Sequence, residues 1–182
     1  DGEAEGRPLA VGGIAAVPGA LAVTAVHGGD ETAWGIHYEA RASDGSESSG
    51  DLEAIEGNGG PRLADVGPIT SPLAWHGLAC EVDGQPAVPA QPVAGRIALI
   101  ERGTCPFVEK LAGARANGAV AALLFTDNRP PTAPSCGAAC PEAARLPAAM
   151  VARDGGLDLR ARLLAGGAVT VTLDADHRVA RA

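Results

Sequence analysis

Two short, wholly apolar runs flanking a helix-like stretch constrain this chain most. Ile97–Glu101 (IALIE) opens after Gly95, and Val120–Thr126 (VAALLFT) follows. Compact apolar runs of that length, bounded by turn residues, read as buried strands. Between them, Pro106 suits the first turn of a helix, with the small polar residues of Thr104-Cys105 as its cap. Phe107, Leu111, Ala114 and Gly118 recur at i, i+4, i+7 and i+11, one helical face, and Asn117-Gly118 supplies the stop.

The pattern continues beyond a proline-rich loop at 127–147. Ala148–Val151 reads as a third strand, and Asp154 as the cap of a second helix with Leu157, Ala161 and Leu164 on its inner face. Gly166-Gly167 ends that helix, and Ala168–Asp174 (AVTVTLD) alternates as a half-exposed strand. Strand, helix, strand, strand, helix, strand implies a mixed sheet carrying helices. Upstream, residues 9–38 read as short strands broken by glycines, Ala20–Val26 being the clearest. Residues 41–68, rich in Ser, Gly, Asp and Glu, read as a long exposed loop or loosely paired edge strands.

Aromatics are only 3% of the residues, so the core is built from Val, Ile, Leu and alanine. Small side chains bury little area each, and such a core benefits from covalent bridges. Four cysteines are present: Cys80, Cys105, Cys136 and Cys140. They allow three pairings. Cys80–Cys105, closing a loop of ~25 residues, with Cys136–Cys140 stapling the CGAAC loop, is the favoured set. A tetrahedral zinc cage of the same four thiolates is the competing reading.

Net charge is −8, and its distribution is uneven. Residues 1–80 hold 12 acids against 3 arginines, whereas residues 81–182 hold 10 acids against 11 bases. No basic stripe exists to neutralise phosphates, which argues against a nucleic-acid partner. No apolar run approaches the ~18–20 residues needed to span a bilayer. DGEAEGRP at the start has neither the basic start nor the apolar centre of a secretory signal, so an exported protein would be represented here by a mature or excised piece.

The histidines are His27, His37, His76 and His177, and none stands in an H-G-T-H or H-E-x-x-H pattern. No G-T-S-M-A turn, phosphate loop or dinucleotide fingerprint occurs. Histidines beside glycine, as in HGG and WHG, read as turn or surface residues, and Asp174 with Asp176 as exposed acids rather than a calcium site. The sharpest enzymatic alternative is a Cys–His hydrolase or thiol enzyme. Cys105 at a helix start would have a lowered pKa, and pairing of Cys80 would draw His76 near. That role requires Cys105 to be unbonded.

The stretch from Gly95 to Lys110 (GRIALIERGTCPFVEK) closely resembles the signature of the protease-associated (PA) domain, G-K-I-A-L-I-E-R-G-x-C-x-F-x-x-K followed by N-A-x-x-A-G-A. Ala114, Gly118, Ala119, Leu123, Leu124, Phe125 and Asn128 fall in the same register. Leu146–Val151 (LPAAMV) is similar to the family's I-P-A-V-M-I strand, and Gly156, Leu157 and Leu164 match its final helix. Departures are Gly113 in place of an asparagine and Asn117 in place of an alanine; an exposed glycine there would cost ~1 kcal/mol of helix propensity. The likeness covers roughly residues 73–174. A weaker one upstream, VPGALAVTAV at 17–26, resembles the strand that precedes PA insertions in subtilisin-like serine proteases.

The resemblance implies an α+β fold of swivelling β/β/α type: a partly closed β-barrel or mixed sheet with two flanking helices, here stapled by disulfides. Its implied layout is N-terminal strands and an acidic loop at 1–66, a PA-like domain at 67–176 and a tail at 177–182. It implies a non-catalytic role: substrate recognition, a lid over a protease cleft, or cargo and partner binding, with a peptide or protein ligand and, in one reading, a protease catalytic domain in the same parent chain. The even cysteine count points to an extracellular setting, and no cofactor or metal is expected. In plant vacuolar sorting receptors the R-G-x-C loop contributes to a peptide-binding surface; the matching positions are Arg102, Gly103, Thr104 and Cys105. Arg129 in the following loop would offer further planar donors, and a salt bridge to Glu101 or a neighbouring acid is the structural alternative for Arg102. A purely structural spacer within a larger secreted protease is the remaining alternative.

Overall fold

Seven strands close on themselves in the order β1-β2-β6-β5-β4-β3-β7 in a computed structural model that describes residues 32–137 and 139–181. The strands are β1 (Thr32–Arg41), β2 (Glu47–Glu56), β3 (Ile69–Gly77), β4 (Ile97–Glu101), β5 (Ala121–Phe125), β6 (Ala148–Val151) and β7 (Ala168–Ala180). Helices α1 (Leu63–Val66), α2 (Phe107–Ala116) and α3 (Arg153–Leu164) join them, with a 3-10 turn at Glu142–Ala144. β3, β4, β5 and β6 run parallel, while β1, β2 and β7 complete the ring antiparallel. Closure leaves no exposed strand edge among these staves.

The parallel staves explain the unbroken apolar runs. Ile97, Leu99, Leu123, Phe125 and Val151 face the barrel interior, where Ile36, Leu73, Val171 and Leu173 meet them. The alternate residues Ala98, Ile100, Ala122, Leu124 and Met150 form a second layer beneath α2 with Leu111 and Ala114. Strands covered on both faces need no polar alternation. β7 is covered on one face only and keeps its period of two, Val169, Val171 and Leu173 inward.

Several local expectations change. Residues 41–68 are mainly strand β2 and helix α1, with β2 paired to β1 from Gly35↔Glu53 to Arg41↔Glu47. β7 continues through residues 177–180, read above as tail, because Thr32 to Trp34 pair with Ala180 to Arg178. α2 begins at Phe107, so Pro106 itself occupies the cap position without a side-chain bond, and Asn117 ends it as expected. α3 begins one residue before Asp154, which lies in its first turn beside the positive helix end. Its inner face is Gly156, Leu159 and Leu163, whereas Leu164 is exposed.

Gly113 is not an exposed helix weakness. It is buried, and a Cβ there would sit 2.9 Å from the Ala79 carbonyl, so glycine lets α2 lie against the chain leaving β3. The strand expected at Ala20–Val26, and the likeness at 17–26, lie outside the described residues. Among the described residues no helix is long and apolar enough to cross a membrane.

Candidate functional site

Cys80 and Cys105 are bonded, their Cα atoms 5.8 Å apart, and Cys136 is bonded to Cys140 with 4.9 Å between Cα atoms. The first bridge joins the segment leaving β3 to the turn between β4 and α2. That turn, Arg102–Cys105, reverses the chain through two left-handed residues, Gly103 at φ 120° and Thr104 at φ 68°. A threonine there is strained, and the bridge at the next residue holds it in place. Thr104 is exposed at the apex.

Arg102 secures the other side of the turn. Its amide donates to the Phe125 carbonyl at 3.0 Å. Its Nη1 donates to Thr126 Oγ1 at 3.2 Å and to the Pro130 carbonyl at 3.0 Å, and its guanidinium lies 5.5 Å from the Phe107 ring centre. Thr126 Oγ1 in turn donates to the Arg129 carbonyl at 2.8 Å. Arg102 is therefore a clamp between the β4–α2 turn and the loop after β5. The salt bridge considered for it does not form: Glu101 pairs with Arg160 at 3.2 Å, and Arg160 lies over the Trp75 and Phe125 rings.

Arg129 presents its fork to Asp127, Nε to Oδ1 at 2.9 Å and Nη2 to Oδ2 at 2.6 Å. This hydrogen-bonded pairing holds the Asp127 carboxyl well below the usual carboxylate range and raises the Arg129 guanidinium. The short bridge seats the 127–147 loop: Cys136 is buried, and the Asn58 amide donates to the Pro134 carbonyl at 2.8 Å.

Two buried polar residues on this side were not expected from the sequence. Lys110, the chain's only lysine, is completely buried; its Nζ donates to the Leu78 carbonyl and lies 3.5 Å from Cys80 Sγ. Burial pushes its pKa down to about 8. His76, read as a turn or surface residue, is 2% exposed within β3, with Nε2 3.3 Å from Asn117 Nδ2. Burial lowers its pKa. Asn117 Nδ2 also reaches the Ala87 and Gly113 carbonyls, each at 2.9 Å, tying the loop after β3 to the end of α2. The signal for Lys110 was its place in the PA-like motif, and Asn117 was marked as the helix stop; no local signal marked the burial of His76 or its contact with Asn117.

Chemically, this region offers rigidity and hydrogen-bonding backbone rather than a nucleophile. No free cysteine occurs among the described residues, so position 105 holds no thiol. Cys80, Cys105 and Glu109 do cluster within metal-ligand distance, but both sulfurs are in the bond and have no thiolate to offer.

A closed mixed barrel with α2 and α3 on it, bridged from β3 to the β4–α2 turn, defines a class of small α+β domain. The PA domain family model matches residues 66–159. The chain belongs to that family. An aminopeptidase from Aneurinibacillus sp. strain AM-1 aligns over 83% of this chain and 33% of its own, at 21% identity and a TM-score of 0.57. BSAP, a zinc aminopeptidase from Bacillus subtilis, aligns over 82% of this chain and 32% of its own, at 20% identity and a TM-score of 0.52. A subtilisin-like protease, Apa1 from Pseudoalteromonas sp. AS-11, aligns more loosely, at 19% identity over 80% of this chain and 34% of its own, with a TM-score of 0.47. The chain thus spans about a third of each of these peptidases. No curated protein sequence matches it.

Proposed function

We propose that this PA domain is a non-catalytic recognition module that grips a peptide or protein partner for a secreted protease or sorting receptor. The observation that carries this reading is the Arg102–Cys105 turn, held from one side by the Cys80 bridge and from the other by the Arg102 clamp, with Thr104 exposed between them. A preordered apex loses little conformational entropy when a partner docks. Arg102 and Cys105 then serve mainly by shaping the apex, Gly103 and Thr104 by touching the partner, and Arg129 by presenting a charge-balanced rim with Asp127. Two disulfides fit an oxidising, extracellular setting. Partial coverage of the peptidases fits an accessory domain beside a catalytic one in a longer chain.

The test is selection of a displayed random-peptide library on the 182-residue chain, followed by titration of the selected peptides against Thr104→Glu. Enrichment of peptides whose binding drops at least tenfold in Thr104→Glu, with thermal stability kept, supports recognition at the turn. Failure to enrich any peptide would overturn the reading in favour of a spacer. Turnover of the peptides would overturn it in favour of an enzyme.

A further inference from the structure

Beside the turn, α2 and the segment after Cys80 enclose an open groove of about 440 Å³. Its lining is apolar and shallow: Pro86, Pro106, Val108, Ala112 and Ala143. Two carboxylate residues, Glu81 and Glu109, complete it. Resting on the recognition role above, we propose that this groove receives a peptide segment in which a large apolar side chain stands beside basic residues.

Shape argues for the apolar side chain. Alanines at 112, 116 and 143 leave room where larger residues would fill the space, and the prolines give walls with few rotamers to order. Both walls are also fixed in position. Val82 and Gln85 exchange backbone hydrogen bonds of 2.9 and 3.0 Å around the left-handed pair Asp83-Gly84, which makes the 82–85 turn a tight hairpin. The Glu81 amide donates to the Glu109 carboxylate, and the Cys80–Cys105 bridge ties the same segment to the start of α2.

Charge argues for the basic residues. Among the described residues no cation is ion-paired with Glu81, Asp83 or Glu109. The cations of α2 are already committed: Arg115 to Glu142 and to the Glu142 and Arg145 carbonyls, and Lys110 to the Leu78 carbonyl below the surface. A ligand guanidinium or ammonium would therefore meet acids with no ion pair to break, and Glu109 accepts from the Glu81 amide through one oxygen only. An acidic ligand would meet repulsion.

Three fluorescein-labelled nonapeptides test this by anisotropy on the whole chain: a Leu-Arg-Arg centre in a Gly/Ser frame, the same with Leu-Glu-Glu, and the same with Ser-Arg-Arg. The first is expected to bind at least tenfold more tightly than either other peptide, and more weakly as salt rises. Glu81→Gln and Glu109→Gln, which keep shape and hydrogen-bonding capacity, should each weaken it about threefold, an exposed charge pair's worth. Ala112→Trp should abolish binding by filling the groove. Equal binding of the Leu-Arg-Arg and Ser-Arg-Arg peptides, or no response to either glutamine variant in a folded protein, would overturn the proposal. If library peptides bind and respond to Thr104→Glu but not to Ala112→Trp, the groove assignment fails while the recognition role stands. If no peptide binds in either experiment, both fail.

Discussion

Removing the longer bridge by Cys80→Ala with Cys105→Ala tests the role given to this cysteine pair. The two residues are 25 apart in sequence, and Cys136 and Cys140 are 4 apart. On the chain-entropy relation, 2.1 + 1.5R ln n cal/mol/K, the longer loop is worth about 3.5 kcal/mol at 25 °C and the shorter about 1.9 kcal/mol. The difference, about 1.6 kcal/mol, depends only on the ratio of loop lengths and is the sharper quantity. At about 2–4 °C per kcal/mol for a domain of this size, the longer deletion should lower Tm by roughly 7–14 °C and the shorter by roughly 4–8 °C. Urea denaturation at pH 7 without reductant, on both double variants and the parent, gives the free energies directly. Equal losses, or a loss below about 1 kcal/mol for the longer bridge, would refute the view that Cys105 chiefly restrains the chain.

Three further outcomes are expected. Gly156→Ala places a methyl group inside the van der Waals envelope of Phe125, where α3 crosses β5, and should cost about 1–3 kcal/mol in the same assay; a neutral result would mean α3 is not seated as described. Arg102→Ala should destabilise the fold by about 1–2 kcal/mol, with Arg102→Lys failing to restore it, because the guanidinium that bonds Thr126 and Pro130 also lies over the Phe107 ring, a planar fit an ammonium lacks. An unchanged urea midpoint would show that the residue is reserved for a ligand. For Lys110 the folded pKa, about 8, lies below the ordinary lysine value, so between about pH 8 and 10 the unfolded chain binds more protons and stability rises with pH. Subtracting the profile of Lys110→Met should remove that rise; a pH-independent difference would mean the amine stays charged when buried.

How much was legible in the sequence follows from the range of the interactions. β4, β5 and β6 were readable because both of their faces are buried, so composition alone marked them. Both bridges were the favoured pairing for the same reason: loop length and local spacing are sequence quantities. α3 shows the limit, since its inner face was placed on Leu157, Ala161 and Leu164. The structure buries Gly156, Leu159 and Leu163, packs Leu157 against the core's edge and leaves Ala161 and Leu164 exposed, with Gly156 lying against Phe125. Period fixes that a face exists, but its phase is set by what packs on it. Residues 41–68 left two readings open, loop or loosely paired edge strands. The strand reading holds for β2, which pairs with β1 from Glu47 to Glu53 and has only Ala54 fully buried.

The sequence marked the Arg102–Cys105 turn but not the contacts its side chains make. Arg102 and Arg129 were expected to offer donors to a partner; the structure commits them to Thr126, Pro130 and Asp127, residues whose proximity depends on β4 and β5 lying side by side. His76 and Gly113 were misjudged because their surroundings come from the segment after β3 and from α2, more than thirty residues apart in the chain. By itself the sequence determined the family, the helix and strand alternation after Gly95, and a fold stapled by cysteines, since those depend on local pattern and covalent chemistry. Only the tertiary structure decided that the barrel closes through β1 and β7, that Lys110 goes inside, and that an acid-edged groove opens beside the turn. Each of these depends on long-range contacts that no local window contains.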